Sequence, residues 1–573
     1  MILRELQLRA PEIAGEADHD KLAANVKPER LRNHPVNPDV EAIRLLYKTM
    51  MNKQKRDRAE NSDIVYTNVS TLQLSDEQLE KCAALFSENY GNYSLRSQIR
   101  PGENVRMGVA YYRNNYVRED YSAALAQDGE KIVGQAFYIR KSYADSGIMT
   151  WIVQLVVDRD YRQKGIASTL LHSIWGFSDD YAWGLASANP CTVRTLESAT
   201  MRRCSPYIIK RHIGDIRKMT FDIGFVDETA LEVSDHDSQV NSHFDVDNSE
   251  FSGVEEYESR LGVLKPGREW LAFTFRDQPI DLDEYEKNFS KLVAFSEKQL
   301  MEAYERMPMQ KQGWAKGEKK EIDDILSMLP ADTVHEVVDL GCGIGRHTLE
   351  LARRGIRSVG IDYSQKQIEH ALKTASDQKL NNCEFVCQDL RTLDQKEKYD
   401  LALCLYDVIG SFPEENDNRS IIRTAYDSLK HGGYLALSVM NMELTDSLVP
   451  DSQKGDVLHD PLLLLKIPPS STMQMTGNIF DPQYMAIDTI DQIVYRKEQF
   501  SDDESLPAEY VIRDKRYRMG EIKSLLESEG FDIVNHKYVR AGDFMTGLDA
   551  TDEHAKEIFV LARKNQSVHA KGD

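Results

Sequence analysis

Cysteine is scarce in these 573 residues: seven are present, an odd number. Cys82, Cys191, Cys204, Cys342, Cys383, Cys387 and Cys404 lack the paired spacing of a zinc ribbon or finger. A metal staple is therefore excluded as the organising device, and reduced thiols in the cytosol are expected. Long apolar runs are also missing. No stretch approaches the ~18 apolar residues that would suggest a membrane span, and the start MILRELQLRAPEIAGEADHD has acids where an export signal would be apolar. Positive charge is in deficit, with 71 Lys and Arg against 93 Asp and Glu and a formal net charge of −22. That balance disfavours nucleic acid, because polyanion binders need surplus cations to displace counterions. The one dense basic run, Lys48 to Arg58, reads as a solvated helix end. Solenoid repeats and long low-complexity tracts are absent too. What is present, 41% hydrophobic and 29% charged residues, is the balance of ordinary folded domains, and the length predicts two or three of them.

The chain divides by pattern. Residues 1–60 read as an N-terminal extension with one helix near Pro38 to Met51, where Val40, Ile43, Leu46 and Tyr47 recur at helical spacing. Residues 61–280 read as a mixed α+β unit: a helix capped by Ser75 with Gln78 completing the box, strands Tyr121 to Ala126 and Ile132 to Ile139 around an Asp128-Gly129 turn, strand Trp151 to Val157, a helix from Gly165, strand Ala182 to Ala188 and a helix from Cys191 to Arg202. Phe221 to Pro279 extends this unit with strand-like alternation, and its acids lack the spacing of a calcium loop. Residues 281–322 read as a charged helical linker broken at Pro308. In residues 323–573 strands alternate with helices: Val337 to Leu340, Ser358 to Ile361, Glu384 to Cys387, Leu401 to Leu405 and Tyr434 to Val439. Such alternation predicts an α/β domain, a parallel sheet covered on both faces. Leu448 to Arg516 breaks the rhythm and reads as an inserted lid with strands at Gln492 to Phe500 and Tyr510 to Tyr517.

Two turns carry the chemistry. The first follows the apolar strand ending at Val157: Arg162, Lys164, Gly165, Ile166 and Ala167 make a basic, Gly-containing turn that opens a helix, a setting suited to a diphosphate. With Asn189-Pro190 closing the next strand, this wording resembles the GNAT acetyltransferase family over roughly Ile64 to Ile223. The resemblance implies acetyl-CoA, or another acyl-CoA, bound by Val157, Arg162, Lys164, Gly165, Ile166, Ala167 and Asn189. It also exposes two departures. Gln154 stands where many members carry a catalytic Glu, and Leu196 where many carry a Tyr, so Tyr207 is the substitute acid to consider beside an ordinary half-buried tyrosine.

The second turn is Asp339-Leu-Gly341-Cys-Gly343-Ile-Gly345, directly after a buried strand. Its Gly-x-Gly-x-Gly spacing differs from the Gly-x-Gly-x-x-Gly of dinucleotide binders. It resembles motif I of class I methyltransferases, and further matches follow in order at Asp362, at Gln388-Asp389-Leu390, at Asp400 and at Leu429 to Leu435. The resemblance implies S-adenosylmethionine held by the glycine loop with Asp339, by Asp362 at the ribose and by Gln388, Asp389 and Leu390 at the adenine. Arg346 and His347 could touch the donor's carboxylate or cap the helix, and Tyr406 and Asp407 are candidate catalytic residues at the substrate rim. The fold implied is a GNAT-like mixed sheet followed by a Rossmann-like domain with an inserted lid. The function implied is a bifunctional acyl-CoA-dependent N-acyltransferase and methyltransferase for a small-molecule or peptide acceptor. Two alternatives stay open: a modifier of protein or tRNA, and a methyltransferase regulated by a non-catalytic, acyl-CoA-sensing first half.

Overall fold

The computed structural model of the chain describes residues 64–97, 100–143, 147–178, 180–223, 230–249, 251, 253–293, 316–470, 479–499 and 509–565. The helix expected near Pro38 to Met51, the basic run Lys48 to Arg58 and the break at Pro308 lie outside those residues.

In the first half, β1 (Ile64–Ser70), β2 (Tyr121–Asp128), β3 (Lys131–Tyr143), β4 (Gly147–Val157) and β5 (Ala182–Ser187) lie side by side. The pairings are antiparallel except that of β4 with β5. Helix α1 (Asp76–Asn89) starts at the expected box: Gln78 N–H donates to the Ser75 hydroxyl at 3.2 Å, and Ser75 N–H donates to Gln78 Oε1 at 3.0 Å. Helix α2 (Ile166–Trp175) makes the crossover that a parallel β4–β5 pair requires. Helix α3 (Pro190–Thr200) stops two residues short of the expected Arg202, because Met201 adopts φ +55° and closes it. The expected extension continues the same sheet with β6 (Leu231–Val233), β7 (Ser238–Asn241) and β8 (Arg268–Phe275), in the order β1-β2-β3-β4-β5-β8-β7-β6. One core, with Phe86, Tyr112, Phe137 and Trp151, lies on one face of this sheet; another, with Leu170, Trp175, Leu185 and Trp270, lies on the other.

β4 and β5 pair only from Met149–Ala182 to Ile152–Leu185. At the next position Val153 is an extra residue in the register with β3. Such a bulge bends a strand away from its neighbour, so the two parallel strands part at their C-terminal ends.

In the second half, β9 (Glu336–Leu340), β10 (Arg357–Asp362), β11 (Cys383–Cys387), β12 (Tyr399–Cys404) and β13 (Leu429–Met440) are parallel. The insertion then forms a sheet of its own from β14 (Lys454–Gly455), β15 (Met485–Asp488), β16 (Ile493–Gln499) and β17 (Glu509–Lys515). β18 (Phe531–Arg540), β19 (Asp543–Leu548) and β20 (Glu557–Lys564) complete the main sheet, in the order β11-β10-β9-β12-β13-β20-β18-β19, with β20 antiparallel to β13. The strand order reverses at β9, which opens a crevice above the C-terminal ends of β9, β10 and β12. β20 begins where β13 ends, on that same rim.

The insertion is held from both sides. Phe177, Met201, Tyr285 and Phe289 pack on its Val457, Ile493, Tyr495 and Val511, and the Tyr285 hydroxyl donates to the Val457 carbonyl at 2.7 Å. Toward the second half, Met485, Ile487 and Val494 pack on Met440, Met442 and Leu444.

Candidate functional sites at two sheet rims

The first rim lies where β4 and β5 part. Gln163 and Gly165 both have positive φ, +61° and +82°, and a Cβ added at Gly165 would meet nothing within 4 Å. The turn therefore bares its backbone to solvent at the head of α2. Arg162 braces it, donating from Nη2 to the Asn89 carbonyl at 2.6 Å and from Nε to the Val157 carbonyl at 3.3 Å. The Lys164 ammonium lies 5.0 Å from the Tyr161 ring centroid. Ile166 sends its side chain into the core, leaving its N–H for a ligand, while Ala167 is half-buried. Across the gap, Asn189 Oδ1 accepts the Cys191 N–H at 2.9 Å and caps α3. The open backbone, the helix start and two cations fit an acyl-CoA diphosphate.

Deeper in, Gln154 is locked: its Oε1 accepts from the Tyr112 hydroxyl and from Gln135 Nε2, both at 2.6 Å. Leu196 is wholly buried in α3. Tyr207 is 58% exposed on the short helix Pro206–Arg211, which packs against β6, β7 and β8. The structure brings a different acid to the gap. Glu269 precedes Trp270, the residue paired with Ser187 at the end of β5. Burial raises its pKa, against hydrogen bonds from Ser242, the Ala188 N–H and Tyr90. The Tyr90 donor lies at 3.5 Å. Tyr116 links the cluster, since Gln154 Nε2 donates to its hydroxyl at 3.5 Å and the Glu269 charge acts on it. In sequence, Glu269 shows only as a lone acid at the head of the apolar run Trp270 to Phe275, with no motif around it.

The second rim lies above β9. Gly341, Gly343 and Gly345 have φ of +74°, +52° and +76°. A Cβ at Gly341 would come within 2.4 Å of Val408 Cγ2, and one at Gly345 within 2.5 Å of Phe385 Cε1, so glycine is required for both space and angle. Asp339 accepts from the Thr348 hydroxyl at 2.8 Å and ties strand to helix. Asp362 accepts the Gly343 N–H at 2.8 Å and the Ser364 N–H at 2.9 Å; burial raises its pKa against those bonds. The Gln388 N–H reaches the Asp362 carbonyl at 2.9 Å. Asp389 is gripped by Arg391, with Nη2 at 2.7 Å, which lowers its pKa. Leu390 buries its side chain in the core. This arrangement, a glycine loop beside the buried carboxylate of Asp362, fits S-adenosylmethionine: the glycines would hold its amino-acid end and Asp362 its ribose.

Beside the loop, Glu321 from α4 (Glu318–Ser327) gathers three partners. Arg346 Nη1 donates at 2.6 Å, His347 Nε2 is hydrogen-bonded to it, and the Tyr406 hydroxyl donates at 2.5 Å. Burial would raise the Glu321 pKa, but His347 and then Arg346 and Tyr406 hold it down at about 2. Tyr406 itself has φ +67°, lies under the Arg346 guanidinium at 4.6 Å and donates its N–H to Ser438 Oγ at 2.5 Å. Burial pushes its pKa well up, so its hydroxyl is a fixed donor and not a base. Asp407 remains solvent-accessible on the rim, yet enclosure raises its pKa beside Asp514, Arg496 and Arg516 of the insertion. Glu557, which no motif flagged, heads β20 opposite Met440. A shallow depression lined by Val334, Glu336, Arg357 and Lys430 lies at the opposite, N-terminal edge of the sheet.

Comparison with known proteins gives one family match in each half of the chain. The acetyltransferase (GNAT) family matches residues 89–178, and a methyltransferase domain family matches residues 337–433. A ubiquinone biosynthesis O-methyltransferase of Coxiella burnetii is 31% identical over 106 residues, 18% of this chain and 43% of that protein. A glycine/sarcosine/dimethylglycine N-methyltransferase of Actinopolyspora halophila is 27% identical over 132 residues, 23% of each. The chain thus spans less than half the length of these curated relatives. Among solved structures, a methyltransferase from Clostridium acetobutylicum aligns over 47% of this chain and 98% of its own, at 15% identity and TM-score 0.31. A glycopeptide N-methyltransferase covers 43% and 86%, at 16% identity and TM-score 0.29. The GNAT match runs from the end of α1 through β4 to the end of the α2 crossover, and the methyltransferase match runs from β9 into β13, so the chain joins a segment of the GNAT acetyltransferase family to a segment of a methyltransferase domain family.

Proposed function

We propose that the protein is a bifunctional transferase that acylates and methylates a small-molecule or peptide acceptor, using an acyl-CoA at the first rim and S-adenosylmethionine at the second. The observation that carries this reading is the pair of glycine turns with positive φ, at Gly165 and at Gly341 to Gly345, each at the C-terminal edge of its own sheet. At the first rim Glu269 takes the role that Gln154 cannot: ionised, its carboxylate accepts the proton of the attacking amine. At the second, Glu321, Arg346 and Tyr406 form a rigid wall beside the loop, so that alignment and exclusion of water supply the acceleration a sulfonium donor needs. The insertion, seated over that rim, favours a compact acceptor.

Purified protein incubated with labelled acetyl-CoA, labelled S-adenosylmethionine and a metabolite extract is expected to move both labels onto acceptors. Glu269→Gln should slow acetyl transfer about 100-fold and leave CoA affinity unchanged. Acetyl label that stays on CoA in every extract, while methyl label moves, would establish the sensing reading instead, which the immobilised Gln154 favours. Failure to bind either donor would end both.

A further inference from the structure

Glu557 stands at the second rim with no part in the donor cradle. It is 5% exposed, and its Oε2 has no hydrogen-bond partner among the described residues. Ser438 bonds the carboxyl from one side, and Ser438 in turn accepts the Tyr406 N–H. The charges that act on Glu557 are Glu321, Asp407 and Arg346. Glu321 is satisfied by its three partners, whereas Asp407 is open to solvent on the rim. A buried acid with an idle oxygen is costly unless a donor or a cation completes it. Here it stands at the head of β20, level with the end of β13 and one strand beyond the end of β12, on the rim where such folds receive their acceptors.

We propose that Glu557, with Asp407 beside it, forms a carboxylate site that takes the protonated amine of the methyl acceptor. Asp407 acts on Glu557 from the rim, Arg346 tempers Glu557 and Arg496 and Arg516 temper Asp407, and the idle Oε2 supplies an acceptor of the right chemistry for an ammonium N–H. In molecules whose Glu557 is ionised, a fraction that grows as pH rises toward about 8, the ammonium gives a proton to that carboxyl, which becomes neutral, and the freed nitrogen lone pair is the nucleophile. The proton then leaves to solvent past Asp407. The site deepens the methyltransferase reading above and rests on it: the acceptor is an amine.

The test uses the full chain with S-adenosylhomocysteine present and methylammonium as the smallest amine probe, at matched ionic strength. Methylammonium chloride at high millimolar concentration should raise the melting temperature of the wild type by about 1–2 °C, and sodium acetate and methanol should not. Glu557→Gln should lose that rise, and Asp407→Asn should reduce it. In parallel, labelled methyl should move from S-adenosylmethionine into an amine-rich extract and not into the same extract after its amines are acetylated. Glu557→Gln should lower that transfer about 100-fold with S-adenosylmethionine affinity kept within about threefold, which separates acceptor binding from misfolding. An equal shift in the variant, no shift in the wild type, or label persisting in the acetylated extract would overturn the assignment. Loss of S-adenosylmethionine binding by the wild type would overturn the methyltransferase reading itself.

Discussion

At the scale of single residues, the second rim contains two neighbouring carboxyls driven in opposite directions. Glu321, wrapped by His347, Arg346 and Tyr406, is held down at about 2. Glu557 is pushed up to about 8 by burial, with Glu321 and Asp407 adding to the rise. Environments that separate two acids in this way assign them different work: Glu321 is a permanent anion that fixes side chains, and Glu557 is a group whose proton can move near neutral pH. The shift carries a stability signature. Because the folded pKa of Glu557 lies above its ordinary 4.5, the native protein keeps a proton that the unfolded chain releases. Its contribution is full below about 4.5 and is lost as pH rises toward about 8. Relative to Glu557→Gln, which has no proton to lose, the wild type should therefore lose on the order of a few kcal/mol across that window. Parallel thermal melts from about pH 5 to about pH 9 check this: a wild type that melts at a constant offset from the variant at every pH refutes the raised pKa.

At the scale of elements, each cradle is a strand, a glycine turn and a helix start, and each is separable from the other. Gly343→Asp should abolish S-adenosylmethionine binding and leave CoA affinity intact; Gly165→Glu should do the reverse, since the new carboxylate would enter the space a diphosphate needs. Calorimetry with both donors decides it, and loss of both affinities in either variant would contradict separate sites. These cradles were legible in the sequence because their determinants are local: the Gly341 to Gly345 spacing, the Gly165 turn and the Ser75 capping box each specify a backbone path over a few residues. What stayed hidden was long-range. Glu269 reaches β5 only through the pairing of Trp270 with Ser187, and Glu557 reaches the rim only because antiparallel β20 starts beside the end of β13. In sequence both are single acids at the head of apolar strands, and no periodicity reveals which edge such a strand will join. The insertion was legible as an interruption, but β14 and β15, of two and four residues, are too short to show alternation.

At the scale of the whole molecule, the insertion belongs in sequence to the second half and in packing to both. Gly176, which ends α2 at φ +53°, lies against β17 so closely that a Cβ there would meet the Glu509 carbonyl at 2.6 Å. Next to it, Lys497 Nζ of β16 donates to the Phe177 carbonyl at 3.2 Å. The sheet that carries Arg496 and Asp514 beside Asp407 is thereby anchored to the helix that begins at the Gly165 turn. Any opening of the second rim that moves this sheet must work against the first domain. Gly176→Ala adds both a clash with backbone and an unfavourable angle, about 2 kcal/mol or more against docking, which corresponds to roughly 30-fold faster opening-limited exchange. Hydrogen exchange should show that acceleration in the amides of Ile493–Gln499 and Glu509–Lys515 and none in Glu336–Leu340 of the methyltransferase sheet. On the proposed function, S-adenosylmethionine affinity should hold while the acceptor KM rises, because the glycine loop proposed for the donor is undisturbed and the rim proposed for the acceptor lies under the loosened sheet. Protection of both inserted strands unchanged from wild type would mean that the two halves merely share a chain.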